Sequence, residues 1–167
     1  MALLNRKLVT SGILLLAIAG NVFADAVYIN GQLALFRPSG ATAGYTAVAA
    51  VGIPVPERRG MFLEAELATT LVDAKRNGQK MNYTGLGGYG VYQRMIDERF
   101  AVHLKAGLLY QYSEREENDP ENGAGIVFAL GGTIHQSREL SYLIELSSVQ
   151  GTLDLTALSL GIRYRFR

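Results

Sequence analysis

The 167-residue chain has no cysteine, only 4 prolines, and no apolar run of helix-spanning length beyond Ala24. Without cysteine there is no disulfide framework, no thiolate metal site and no cysteine for lipid attachment at an export cleavage point. Glycine, serine, threonine or a charge interrupts every apolar run after Ala24, and a membrane-spanning helix needs about 20 apolar residues in a row. Helical insertion of that part is therefore excluded. A basic excess is also missing: the formal net charge is +1 and becomes about −1 without Arg6 and Lys7, so no nucleic-acid partner is expected.

What is present begins with Arg6 and Lys7, then the apolar stretch 13–19, then Val22-Phe23-Ala24 with small residues at the positions a signal peptidase reads. This is the layout of a cleavable secretory signal over residues 1–24, too short and too interrupted for a spanning helix. Cleavage after Ala26 fits the same small-x-small pattern. Residues 25–167 then form one domain of ordinary size. Its 19 glycines and 9 tyrosines, against 4 prolines, favour strands and turns.

Alternation of period two between turn signals predicts eight strands, at 27–36, 45–53, 61–71, 83–94, 100–112, 125–135, 140–148 and 155–166. Most have the 9 to 11 residues that a tilted membrane strand needs. The connections 54–60, 95–99 and 136–139 are short. Those at 37–44, 72–82 and 113–123 are longer and more polar and are expected as loops. Such an asymmetry, with both ends of the domain on the short-turn side, is that of an outer-membrane barrel with periplasmic turns and extracellular loops.

The fifth strand separates its faces best: Phe100, Val102, Leu104, Ala106, Leu108, Tyr110 and Tyr112 on one, His103, Lys105, Gly107 and Gln111 on the other. The glycine-rich fourth strand leaves its register open. A soluble barrel would hide the apolar face inside, whereas a membrane barrel turns it outward. Here the polar face carries Glu64, Glu66, Lys105, Glu145, Arg163 and Arg165, which can pair inside a narrow barrel. The aromatics Phe100, Tyr110, Tyr112, Tyr142, Tyr164 and Phe166 gather near strand ends, as interfacial girdles do. The sequence therefore predicts an all-β fold: an eight-stranded antiparallel up-and-down transmembrane β-barrel, with a lumen filled by a packed polar core. On that assignment Leu104→Arg costs about 2–4 kcal/mol near the bilayer midplane, and Gln111→Arg near the lumen rim much less.

The closing segment Ser159-Leu160-Gly161-Ile162-Arg163-Tyr164-Arg165-Phe166 resembles the C-terminal signal of bacterial outer-membrane proteins, with Gly161, Tyr164 and Phe166 at its marked positions. Arg167 departs from it, since such chains usually end on the aromatic. The runs Gly85-Leu86-Gly87-Gly88-Tyr89-Gly90-Val91-Tyr92 and Lys105-Ala106-Gly107-Leu108-Leu109-Tyr110 are similar to the fourth and fifth strands of the small outer-membrane β-barrel family. This porin-like group includes the transmembrane domain of outer-membrane protein A. The resemblance implies an outer-membrane location, contact with outer-membrane lipid and lipopolysaccharide, and recognition by the barrel-assembly machinery. The peptidoglycan-binding domain of larger relatives is not expected after Phe166.

No cofactor, metal or catalytic residue is assigned, and the surface partner is not specified. The expected role is structural, or one of surface contact, with a narrow channel or a lipid A-modifying hydrolase as alternatives. The hydrolase would draw on His135 and Ser137 with Glu145, since some eight-stranded relatives are lipid A deacylases with a His, Ser and Glu triad. An ordinary polar turn accounts for the same residues, because a triad needs Ser within hydrogen-bond reach of His. His103 is expected as an interior hydrogen-bonding residue. The acidic stretch 113–122 is a solvated loop by default and a Ca²⁺ or Mg²⁺ holder as the alternative, although it lacks EF-hand spacing. Lys75, Arg76 and Lys80 are candidates for lipopolysaccharide phosphates.

Overall fold

A computed structural model describes residues 27–166 apart from 77, 116 and 117, and excludes the side chains of 76, 114, 115 and 118–121. The expected signal segment 1–24, both cleavage points and Arg167 lie outside the described residues, as do the acidic side chains of the 113–122 stretch. The strands are β1 (Tyr28–Pro38), β2 (Gly44–Pro54), β3 (Met61–Val72), β4 (Ala74–Arg76), β5 (Gln79–Met95), β6 (Phe100–Arg115), β7 (Asn118–His135), β8 (Leu140–Gly151) and β9 (Leu155–Arg165). Neighbours in sequence pair antiparallel, β9 returns to β1, and β3 pairs with β5, so the sheet closes. β4 resumes β3 after Asp73 on the same partner, β5. The result is a barrel of eight staves.

The three short turns lie where expected. In two of them a side chain closes the turn: Asp97 Oδ1 accepts the N–H groups of Arg99 and Phe100, both at 2.7 Å, and Ser137 Oγ accepts that of Leu140 at 3.0 Å. Those two donors hold the Asp97 carboxyl below the usual carboxylate range.

The connections at the other end differ from expectation. Segments 72–82 and 113–123 are largely strand: Ala74 pairs with Met81, Lys75 with Lys80, Tyr112 with Asn122, and Ser113 with Glu121. In these extensions the inner face is still buried, at Ala74, Met81 and Ser113, while the outer positions Lys75, Lys80 and Asn82 are polar and exposed, so no apolar outer face marks the strand although the hydrogen-bond ladder continues. β8 and β9 are joined there by a tight turn in which Asp154 Oδ1 accepts the Gly151 N–H at 2.9 Å.

The glycine-rich register is settled by close approach. In β5 the odd-numbered residues point inward, with Tyr89 opposite Gly107 of β6. A Cβ at Gly107 would run into the backbone of Gly88 and Tyr89. Gly107→Ala is expected to lower the unfolding free energy by about 1–3 kcal/mol through overpacking, measured by urea titration in lipid vesicles.

Candidate functional site in the barrel interior

The alternation of each strand sends its polar set to one space, and the centre of that space is Lys105 on β6. Its Nζ lies 2.8 Å from Glu64 Oε1 and 3.7 Å from Glu145 Oε1, and it also pairs with Glu66 Oε2. The ammonium sits 4.2 Å from the centroid of the Tyr89 ring, within cation–π range. Each carboxylate has a second partner. Glu64 Oε2 accepts from Tyr28 Oη (2.8 Å) and Asn30 Nδ2 (3.0 Å), Glu66 Oε1 from Tyr89 Oη (3.2 Å), and Glu145 Oε2 meets His103 Nε2 at 2.9 Å. This is how the cluster tolerates burial: each carboxylate lies within ion-pair distance of Lys105 and has a further hydrogen-bond partner on its other oxygen.

Arg163 stands apart from that cluster. Its Nε donates to Asn30 Oδ1 and an Nη to Gln93 Oε1, both at 2.8 Å, and its guanidinium lies 4.1 Å from the Tyr28 ring centroid. Asn30 therefore joins it to Glu64 through a neutral amide. Arg165 is half-buried near the rim, 5.9 Å from the Phe62 ring centroid. The structure thus brings Glu64, Glu66, Lys105 and Glu145 into one group and leaves the two arginines below it.

The expected polar lumen is only half right. Toward the long-strand end the interior is apolar, filled by Phe36, Met81, Tyr83, Leu109, Val127 and Leu155, all buried. Gln111 sits against this plug, 1% exposed, with Nε2 donating to the Leu153 carbonyl and Oε1 accepting the Leu153 N–H, each at 3.2 Å. Gln111→Arg is therefore not mild, because the site is closed to water and both side-chain polar atoms of Gln111 are engaged by the β8–β9 turn.

His103 is the interior hydrogen-bonding residue its sequence position implied, between Glu145 and, at 3.5 Å, Thr133 Oγ1. Gly131 gives the ring its room, since a Cβ there would collide with the imidazole. His135, Ser137 and Glu145 are not brought together. His135 Nδ1 meets Ser141 Oγ at 2.8 Å, Ser137 closes its turn, and Glu145 is held by His103 and Lys105. Among the described residues no group of three His, Cys, Asp or Glu side chains could hold a metal ion.

The exterior is the inverse of the interior. Leu104, Leu108, Phe128, Leu130, Leu146 and Leu160 are each more than half exposed, and Tyr92, Tyr110, Tyr142 and Tyr164 flank them toward the strand ends. Between these girdles no outward position carries a charge. Charges inside and a girdled apolar belt outside are the pattern of a barrel solvated by lipid.

The fold is that of the small outer-membrane barrels. Neisserial surface protein A superposes with a TM-score of 0.70 at 12% identity, over 84% of this chain and 97% of that one. The N-terminal β-barrel domain of Pseudomonas aeruginosa OprF gives 0.63 at 13% identity, covering 85% and 98%. Ail, the attachment invasion locus protein of Yersinia pestis, gives 0.58 at 10% identity, covering 84% and 97%. No family model matches the chain, and no curated protein matches it in sequence. What the chain shares with these barrels is architecture, so its role rests on its own residues.

Proposed function

We propose that the chain is a non-conducting barrel of the bacterial outer membrane, with a structural or surface-contact role in the envelope and no catalysis. The observation that carries this reading is the filled interior: an apolar plug of buried side chains is stacked on a cluster of paired charges. Water in a lumen needs polar partners, and dewetted apolar constrictions close pores. In planar bilayers the purified barrel is expected to give no steady single-channel current, and ohmic openings in the wild type would overturn the closed-lumen reading.

Glu64, Glu66, Lys105 and Glu145 act on this reading as the structural core of the wall, with Arg163 and Arg165 bracing its periplasmic end. The short-turn end faces the periplasm and the extended strands project outward. Lys75 and Lys80 support that orientation: they are directly opposite each other in the β4–β5 pair and both exposed. Like charges so placed repel, and a lipopolysaccharide phosphate between them removes the penalty. At the other end Gly161, Tyr164 and Phe166 form the segment offered to the assembly machinery, with Tyr164 and Phe166 in edge contact at 5.1 Å. Residues 1–24 serve as the export signal, and amino-terminal sequencing of protein from the outer-membrane fraction is expected to begin at Asp25 or, for the later cut, Val27.

A further inference from the structure

At the short-turn end the exterior changes from apolar to cationic. Arg58 and Arg59 in the β2–β3 turn, Arg94 near the end of β5, Arg99 in the β5–β6 turn and Arg138 in the β7–β8 turn are all exposed. Among the described residues every cation at this end is arginine, whereas Lys75 and Lys80 stand at the opposite rim. Among the described residues, too, none of these five guanidiniums forms an ion pair, a side-chain hydrogen bond or a ring contact.

Two of the five are brought together by the fold. β3 and β5 pair as far as Met61 opposite Tyr92, and the ladder runs one step further, where the Gln93 N–H donates to the Gly60 carbonyl at 2.7 Å. Gly60 has a φ of +77°, and a Cβ there would run into the Gln93 carbonyl, so glycine is what lets the turn press against β5. The residues next to that bond, Arg59 and Arg94, are thereby held on adjacent chain segments with no counter-ion from the barrel. Like charges on neighbouring strands repel, and an anion supplied from outside removes the penalty.

The surroundings select the anion. β5 alternates, so Arg94 shares the outward face with Tyr92, which is 47% exposed in the aromatic girdle. Girdle rings sit at head-group level, and two residues further along a strand is about 7 Å, which carries the Arg94 side chain into the layer of lipid phosphates. Met61 beside Tyr92 and Val102 beside Arg94 continue the apolar surface that acyl chains cover. With the short turns in the periplasm, this is the leaflet built of phospholipid and not of lipopolysaccharide.

We propose that Arg59 and Arg94 form a binding site for one anionic phospholipid of the periplasmic leaflet, its phosphodiester held between the two guanidiniums. An arginine fork matches phosphate oxygens. No described carboxylate lies within ion-pair reach of either guanidinium, so nothing at the site receives a head-group ammonium, which favours phosphatidylglycerol chemistry over phosphatidylethanolamine. Arg58, Arg99 and Arg138 extend the positive field around the rim and draw anionic lipid toward it. The inference rests on the membrane reading and the orientation given above, and adds a site to them.

The test uses the full exported chain reconstituted into vesicles of equal parts phosphatidylethanolamine and phosphatidylglycerol, released into detergent and weighed with its bound lipid by native mass spectrometry. Phosphatidylglycerol should be retained about tenfold over phosphatidylethanolamine, and Arg59→Gln or Arg94→Gln should each reduce its retention about tenfold, the scale of one lost charged hydrogen bond. Both side chains are exposed and unbonded, so these variants keep the barrel folded. Lys75→Gln combined with Lys80→Gln, at the opposite rim, should leave retention unchanged. Equal retention of the two lipids by the wild type, a preference for phosphatidylethanolamine, or retention unmoved by the arginine substitutions overturns the site. Retention lost through the lysine pair instead overturns it too, because the lipid would then sit at the other rim. Cold and boiled samples of each protein are run side by side on gels. A heat-dependent shift keeps the barrel reading intact whatever the lipid result, and a wild type that neither inserts nor shifts brings down both.

Discussion

Replacing Lys105 by methionine should destabilise the barrel by about 3–5 kcal/mol, the cost of leaving buried charges without their counter-ion. Lys105 is buried and is the shared cation of Glu64, Glu66 and Glu145. Its removal leaves three carboxylates facing one another with only His103, Tyr28, Tyr89 and Asn30 to stabilise them. Combining Lys105→Met with Glu64→Gln and Glu66→Gln removes the uncompensated charge and should recover most of the loss. Urea unfolding in vesicles, followed by tyrosine fluorescence, measures both. If the single and triple variants lose the same amount, the cluster contributes through packing and not through charge pairing.

Leu104→Arg carries the second large effect. Leu104 is 55% exposed midway along β6, between the outward aromatics Phe100 and Tyr110, and arginine there should cost about 2–4 kcal/mol. Leu71 is 60% exposed near the end of β3, at the rim of the apolar belt. Leu71→Arg should cost only about 0–1 kcal/mol, because the side chain reaches the interface. The contrast isolates depth, since both residues are apolar and outward. Equal costs at the two sites would mean that the exposed belt does not face hydrocarbon.

These two sites were legible in the sequence for the same reason. Strand β6 separates Leu104 and Leu108 from His103 and Lys105 cleanly, because hydrocarbon lies on one side and paired charge on the other. Where the interior changes character the signal is lost. In Ile126-Val127-Phe128-Ala129-Leu130 both faces are apolar: Ile126, Phe128 and Leu130 meet lipid, while Val127 and Ala129 are buried inside. Period-two reading locates such a strand but cannot show that its inner face belongs to a plug. The fourth predicted strand failed differently, since glycines carry no side chain to report a face; its register follows from Tyr89 needing Gly107 opposite. Within the charge cluster the residue set could be read from the polar face. The grouping could not, because it depends on which strands lie across the barrel from one another: Arg163 meets Asn30 and Gln93 while Lys105 takes the three glutamates.

The hydrogen bond between Arg163 and Asn30 spans 133 residues, and β1 and β9 are the first and last strands to leave the ribosome. Asn30 in turn holds Glu64, and Glu64 holds Lys105. The buried polar chain is therefore completed only when the two ends of the sheet meet. Before that moment an open, curled sheet keeps its glutamates and lysine in water and pays no desolvation cost. Afterwards the seam cannot part without breaking Arg163 from Asn30 and readmitting water to the cluster behind it. Closure thus resembles a latch whose catch is a set of buried side chains that join the first strand of the sheet to the last.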